Sequence, residues 1–424
     1  MMKFKITFLT IVSTLILVSC ATEPKEAPVV DFLTKNIVGS NVTVTGEVIS
    51  TAGDDMTLRG FCWSTSPSPT KDDAVIIDTL KGLGTYTLSL PNLLGETEYY
   101  LRAFAENSFG VAYSGDISFK TAYGMNSRGC IVCSGSNPTD VISVNGQNYT
   151  VVDSSALYNL VNIDADLSKI CISKITNLSD LNMQPKGDIG NWDVSNVTNM
   201  NGLFKRPSTN TFNADIGNWD VSNVESMVSM FWNATEFNQD ISEWDVGNVT
   251  DMHSMFAEAS SFNQDLNNWD VSNVNDMQNM FIGASSFNGK IDDWDVGNVK
   301  SMYGMFSSAS SFNRDIGDWD VSSVEDMFFM FYEAISFNQD IGAWNVGAVL
   351  TMDSMFERAS LFNENIGNWD VSNVQSMLGM FWDATEFNQD LSQWCVSNIS
   401  TLPPAFATNS SLTPSNYPVW GTCP

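Results

Sequence analysis

The residues with chemistry to offer are aspartates and cysteines, and both keep step with tryptophan. Trp192, Trp219, Trp244, Trp269, Trp294, Trp319, Trp344, Trp369 and Trp394 are spaced by 27 once and then by 25. Immediately after them stand Asp193, Asp220, Asp245, Asp270, Asp295, Asp320, Asn345 and Asp370. If successive repeats stack ~4.8 Å apart, neighbouring carboxylates repel by ~0.9 kcal/mol even in water's dielectric. Something must offset that. One chemistry is local: Asp220-Val221-Ser222-Asn223 is turn-like, and its carboxylate can accept backbone N–H bonds. The other is a divalent cation, Ca2+, shared along Asp193, Asp220, Asp245, Asp270, Asp295 and Asp320, because hard cations prefer clustered oxygens. The EF-hand and nonapeptide calcium motifs are absent, so hydrogen bonding is the preferred reading and no cofactor is required.

The cysteines mark the ends of the repeat. Cys171 and Cys395 occupy the place that aspartate holds between them. Cys395 is expected to pair with Cys423 and secure a C-terminal cap; Cys171 is expected to pair with Cys130 or Cys133, with Cys133 preferred. A redox or metal role for Cys130-x-x-Cys133 would need a βαβ context or a second cysteine pair, and neither is visible. Cys62 has no partner in view and reads as a buried thiol.

No catalytic residue is assigned and no enzyme is expected. Glycoside hydrolysis needs two carboxylates in unlike environments, whereas residues repeated at a fixed period share one environment. There is a single histidine, and no nucleophile elbow, phosphate loop or zinc helix motif.

These residues must be positioned by a repeating element. A fixed period between 20 and 50 residues signals a solenoid. In the coil 237–261, alternation puts Trp244 and Val246 on one face of a short strand and Asp245 on the other. Met252, Met255, Phe256 and Ala259 then fall at i, i+3, i+4 and i+7, which predicts one stripe of a short helix. The expected fold is therefore multidomain, with a right-handed α/β leucine-rich-repeat-like solenoid whose stacking supplies the core. The column Asn213, Asn238, Asn263, Asn288, Asn313, Asn338, Asn363 and Asn388 is expected to be a structural amide ladder. His253, Gln278, Tyr303, Phe328, Asp353 and Leu378 share one position that varies from coil to coil, where binding specificity could reside.

The remaining boundaries follow from composition. Residues 1–19 read as a signal peptide: Lys3 and Lys5, then an apolar run. Leu17-Val18-Ser19-Cys20 resembles a bacterial lipobox, which implies that Cys20 is lipidated and that 20–28 form a tether. Residues 29–122 carry short β-rich runs at 42–45, 75–77 and 99–104 between turn signals, which suits a β-sandwich. A linker and N-terminal cap are expected over 123–186, the repeats over 187–394 and a C-terminal cap over 395–424. The chain has 49 acids and 19 bases, and from Gly187 onward 31 acids face 6 bases, which puts −25 of the −30 charge there. Such a surface repels nucleic acid and anionic membrane.

Two resemblances complete the reading. Thr97-Glu98-Tyr99-Tyr100-Leu101-Arg102-Ala103, with Gly60-Phe61-Cys62-Trp63-Ser64, resembles strands of fibronectin type III domains. Phe-Asn-Gln-Asp-Ile/Leu-x-x-Trp-Asp-Val-Ser/Gly-Asn-Val-x-x-Met-x-x-Met-Phe, as at 237–256 and 262–281, resembles BspA-like leucine-rich-repeat surface proteins and the repeats of mycoplasma lipoproteins. The latter implies a lipid-anchored protein of the outer membrane or cell surface, in a bacterium of the Bacteroidetes type. It implies adhesion or binding to an extracellular protein or glycan, with the membrane touched only through the anchor. The alternatives are a structural spacer without a discrete ligand and a polysaccharide-capture accessory.

Overall fold

The computed structural model describes residues 25–424 except 39, 40, 92, 96, 122 and 134. The expected signal peptide, Cys20 and residues 20–24 of the tether lie outside the described residues. Among the described residues no helix is long and apolar enough to cross a membrane. The fold is β-rich and multidomain, with two compact units. The first holds Val42–Asn92 and Thr97–Thr121 with the described part of Met1–Ile37, and the second holds Ala122–Pro424 with Val38–Asn41 and Leu93–Glu96.

The first unit has eight strands: β1 (Val29–Val38), β2 (Asn41–Ser50), β3 (Leu58–Ser64), β4 (Ala74–Ile77), β5 (Gly84–Leu90), β6 (Glu98–Asn107), β7 (Gly110–Tyr113) and β8 (Ile117–Lys120). One sheet runs β1-β2-β5 and the other β4-β3-β6-β7, with β8 also on β6. Alternation decides the faces. Val42, Val44 and Val48 are buried, while Thr45 points outward and bonds Thr87 across the strand pair at 2.8 Å. The sheets meet where Phe61 of β3 lies 5.0 Å from Tyr86 of β5, whose hydroxyl donates to the Gly60 carbonyl at 2.9 Å. A Cβ on Gly60 would sit 2.1 Å from the Ile76 carbonyl, so only glycine lets β3 and β4 approach. Cys62 is fully buried, and burial pushes its thiol up to about 12. Tyr99 stacks on Phe119 at 5.8 Å.

The second unit opens with β9 (Gly124–Met125) against β10 (Ile131–Val132). A hairpin follows, β11 (Val141–Val144) with β12 (Gln147–Val151), turning through Asn145-Gly146, both at positive φ. Helix α1 (Ser154–Asn162) is N-capped by the Asp153 carboxylate, and β13 (Ile170–Cys171) pairs in parallel with β12. From here the expected α/β solenoid is corrected. Among the described residues, α1 and a three-residue 3-10 turn at Pro414–Asn416 are the helical elements, and none lies in the coils with tryptophan.

Each coil is instead a chain of turns tied to its neighbours. In 252–259 the His253 amide donates to the Asp251 carboxylate at 3.0 Å, and the others divide between two kinds of partner. Met255, Ala257 and Ala259 donate within the coil to Met252, Ser254 and Phe256; Met252, Ser254, Phe256 and Glu258 donate to Asp276, Gln278, Met280 and Ile282 of the next. Ser254 and Glu258 are left-handed, with φ of 56° and 59°. That handedness breaks an α-helix, which would have spent every amide on its own i−4 carbonyl. The expected strand is displaced as well. Trp244–Val246 lies between two turns, and the parallel bridges run through Asn199, Ser226, Asp251, Asp276, Ser301, Asp326, Thr351 and Ser376.

The burial pattern nonetheless follows the apolar spacing. Ile241, Val246, Val249, Met252, Met255, Phe256, Ala259 and Phe262 are fully buried, and Trp244 is 2% exposed. Between coils, phenylalanines stack in two files, for example Phe256 on Phe281 at 5.5 Å and Phe262 on Phe287 at 5.9 Å. At ~1.5–3 kcal/mol per buried large side chain, this packing is the main cohesive term. Leu167, Ile170, Ile172, Ile175 and Leu178 continue the same core toward the N-terminal cap.

Candidate functional site

The aspartates after tryptophan are held one by one. Asp193, Asp220, Asp245, Asp270, Asp295 and Asp320 each accept, through Oδ1, the N–H two residues on, at 3.0–3.3 Å. Where that residue is serine its hydroxyl adds a bond, 2.6 Å from Ser272 to Asp270. The serine hydroxyl and then the amide hold Asp270, Asp320 and Asp370 below the ordinary carboxylate range. Asp193 is buried, and Asp245, Asp270, Asp295 and Asp320 are exposed. Among the described residues, no three histidine, cysteine, aspartate or glutamate side chains are grouped to hold a metal ion.

The cysteines are placed as follows. Cys133 is joined to Cys171 with Cα atoms 6.3 Å apart, and Cys395 is joined to Cys423. Cys130 is free and buried, its sulfur 3.6 Å from the Asn218 carbonyl. Burial, and then the Asp193 charge, push its thiol up to about 12, which removes it from nucleophilic use near neutral pH.

The asparagine column is a continuous ladder. Each Oδ1 accepts the backbone N–H of the asparagine one coil on, from Asn213 to Asn388, at 2.7–3.0 Å. Gln239, Gln264 and Gln389 reach back to the same oxygens through Nε2. A hollow of about 660 Å³ is lined by a different set of repeat positions, Asn196, Thr198, Asn223, Glu225, Asn248 and Thr250. It offers amides, hydroxyls and one carboxylate, and no pairing of nucleophile with base.

The varying column carries a different chemistry. His253, Gln278, Tyr303, Phe328 and Asp353 are half-buried and Leu378 is exposed. Two of these six are brought into an aromatic cluster. Tyr303 and Phe328 stack at 5.2 Å, 1° from parallel. Phe329 stands edge-on to Phe328 at 4.1 Å, and Tyr332 lies 5.1 Å from Phe329. The Arg358 guanidinium lies 5.8 Å over the Tyr332 ring and donates to the Tyr332 hydroxyl at 2.9 Å and to Glu333 at 2.6 Å. Its Nε is 3.7 Å from Asp383. Leu378 and Trp382, 46% and 36% exposed, lie on the coil after Arg358.

Phe329, Tyr332, Arg358 and Trp382 escape a reading that follows the single varying column. Their signal is the breaking of three other columns, those of Phe329, of Tyr332 with Trp382, and of Arg358. Phe329 occupies the left-handed position held elsewhere by Ser229, Ser254, Asn279, Gly304, Ser354 and Gly379, and has φ of 57°. For a bulky residue that is an outlier, and such strain costs of order 1–3 kcal/mol. The surroundings are acidic: the Phe328 N–H donates to Asp326 at 2.9 Å, and the Leu378 N–H donates to Asp353 at 2.7 Å. Burial, and the neighbouring Asp353 charge, raise Asp326 above the ordinary carboxylate range.

The family described as "Mycoplasma protein of unknown function, DUF285" matches residues 153–269, 261–352 and 313–420. No curated protein matches the chain.

Proposed function

This chain belongs to that Mycoplasma-type repeat family, which covers more than half of it, and from this premise we propose that it is a non-enzymatic binding or adhesion protein displayed on the cell surface. The observation that carries the reading is the aromatic cluster at Tyr303, Phe328, Phe329 and Tyr332. The repeated aspartates and asparagines are committed to bonds that hold turns and coils together. Several residues that break the repeat gather instead in this cluster, and one of them, Phe329, puts a bulky side chain at a left-handed position that the other coils fill with Ser, Asn or Gly.

The finer resemblance to BspA-like surface proteins belongs to this proposal without their α/β geometry, as does the lipid anchor at Cys20. The first unit is read in the same proposal as a fibronectin type III-like spacer, supported by its facing sheets ordered β1-β2-β5 and β4-β3-β6-β7. Beads coated with the full chain should be retained on at least one surface in a panel of extracellular matrix proteins and glycans. Failure on every surface, with the chain folded, would reject the reading.

A further inference from the structure

Resting on that binding reading, we propose that the aromatic face of Tyr303, Phe328, Phe329 and Tyr332 docks a basic polypeptide segment through its arginine or lysine side chains. Charge complementarity selects the occupant. Asp326, Glu333, Asp353 and Asp383 border the face, and among the described residues the one base ion-paired to any of them is Arg358. A second copy of a chain with formal charge −30 would be repelled, and a nucleic acid likewise.

The molecule already displays the kind of contact required. Arg358 is held by one aromatic face, one phenol and two carboxylates, those of Glu333 and Asp383. One column over, the stacked pair Tyr303 and Phe328 is flanked by Asp326 and Asp353, and among the described residues no Lys or Arg ion pair reaches either carboxylate. An incoming guanidinium or ammonium would meet ring faces and edges for cation–π attraction and two carboxylates for charge-assisted hydrogen bonds. Burial raises Asp326, and its neighbour Asp353 adds to that, so a docked cation would relieve both carboxylates.

The test is fluorescence anisotropy of labelled octa-arginine with the full chain at physiological salt. Saturable binding is expected, weakened at least about tenfold by Phe328→Ser and by Asp326→Asn with Asp353→Asn. The control Asp245→Asn with Asp270→Asn removes the same charge elsewhere on the repeat and should change Kd by less than about twofold. Phe329→Gly guards against misfolding, because glycine takes its backbone without strain. It should keep the melting temperature and still weaken binding. Equal weakening by the control pair, or no saturable binding, overturns the proposal. So does binding of uncharged laminarihexaose at this face without octa-arginine. Bead retention that survives Phe328→Ser also overturns it, and leaves the broader binding reading intact.

Discussion

The indole Nε1–H of Trp294 donates to the carbonyl oxygen of Leu266, 28 residues earlier, at 2.9 Å. The same bond recurs from Trp244 to Ile216, Trp269 to Ile241 and Trp369 to Ile341. Trp269 and Trp319 stack on either side of Trp294 at 6.4 and 6.3 Å. Tryptophan therefore fills the core and locks the register of adjacent coils at once. Trp294→Phe removes one of the two hydrogen bonds to the Leu266 carbonyl, which keeps the Trp269 N–H at 3.0 Å, and opens a void; it should cost ~1–3 kcal/mol in urea unfolding.

The asparagine ladder makes a separable contribution. Asn313 Oδ1 accepts the Asn338 N–H and the Gln339 amide, both at 2.9 Å. Asn313→Ala should cost ~1–2 kcal/mol, while Asn313→Asp keeps the acceptor and should cost less. Amide hydrogen exchange at Asn338 would report the difference directly.

Backbone handedness predicts opposite responses at equivalent places. Gly304 has φ of 58°, and a Cβ there would lie 2.4 Å from Asn279 Oδ1. Gly304→Ala should destabilise by ~1–2 kcal/mol. Ser354→Gly, at φ 51° in the same column, should be neutral or slightly stabilising by thermal melting.

The cap disulfides close loops with sequence separations of 38 and 28 residues. Loop entropy assigns each ~3–4 kcal/mol. Cys395→Ser with Cys423→Ser should lower the melting temperature and first expose Phe406 and Trp420, which pack at 5.0 Å in the C-terminal cap. Limited proteolysis with mass mapping would show the earliest cuts near that end.

Acid should loosen the repeats in a defined window. Serine hydroxyls and amides hold Asp270, Asp320 and Asp370 low; amides and then serine hydroxyls do so for Asp240 and Asp390. The unfolded chain binds these protons first, so their stabilisation is complete above about pH 4 and is lost as pH falls through the depressed values. Asp326 works in the opposite sense, since burial raises it. The melting temperature should fall below about pH 4, and Ser272→Ala should return the Asp270 titration toward its ordinary range by NMR.

The sequence by itself determined the period, the buried positions and the residues that bind coil to coil. Trp244, Val246, Met252, Met255 and Phe256 are inside, Asp245 is outside, and the asparagines form a ladder, because side-chain polarity at a fixed spacing decides which groups leave water. Polarity does not specify the backbone path between those positions. The i, i+3, i+4, i+7 stripe fits a helix and fits equally a chain of turns with left-handed residues at Ser254 and Glu258. Only the tertiary structure decided between them, because the choice depends on whether the amides of Met252, Ser254, Phe256 and Glu258 find carbonyls in their own coil or in the next. The same holds for the aromatic face. Phe328 and Phe329 are adjacent in sequence, but Tyr332 and Arg358 come from different coils, and stacking alone made them neighbours.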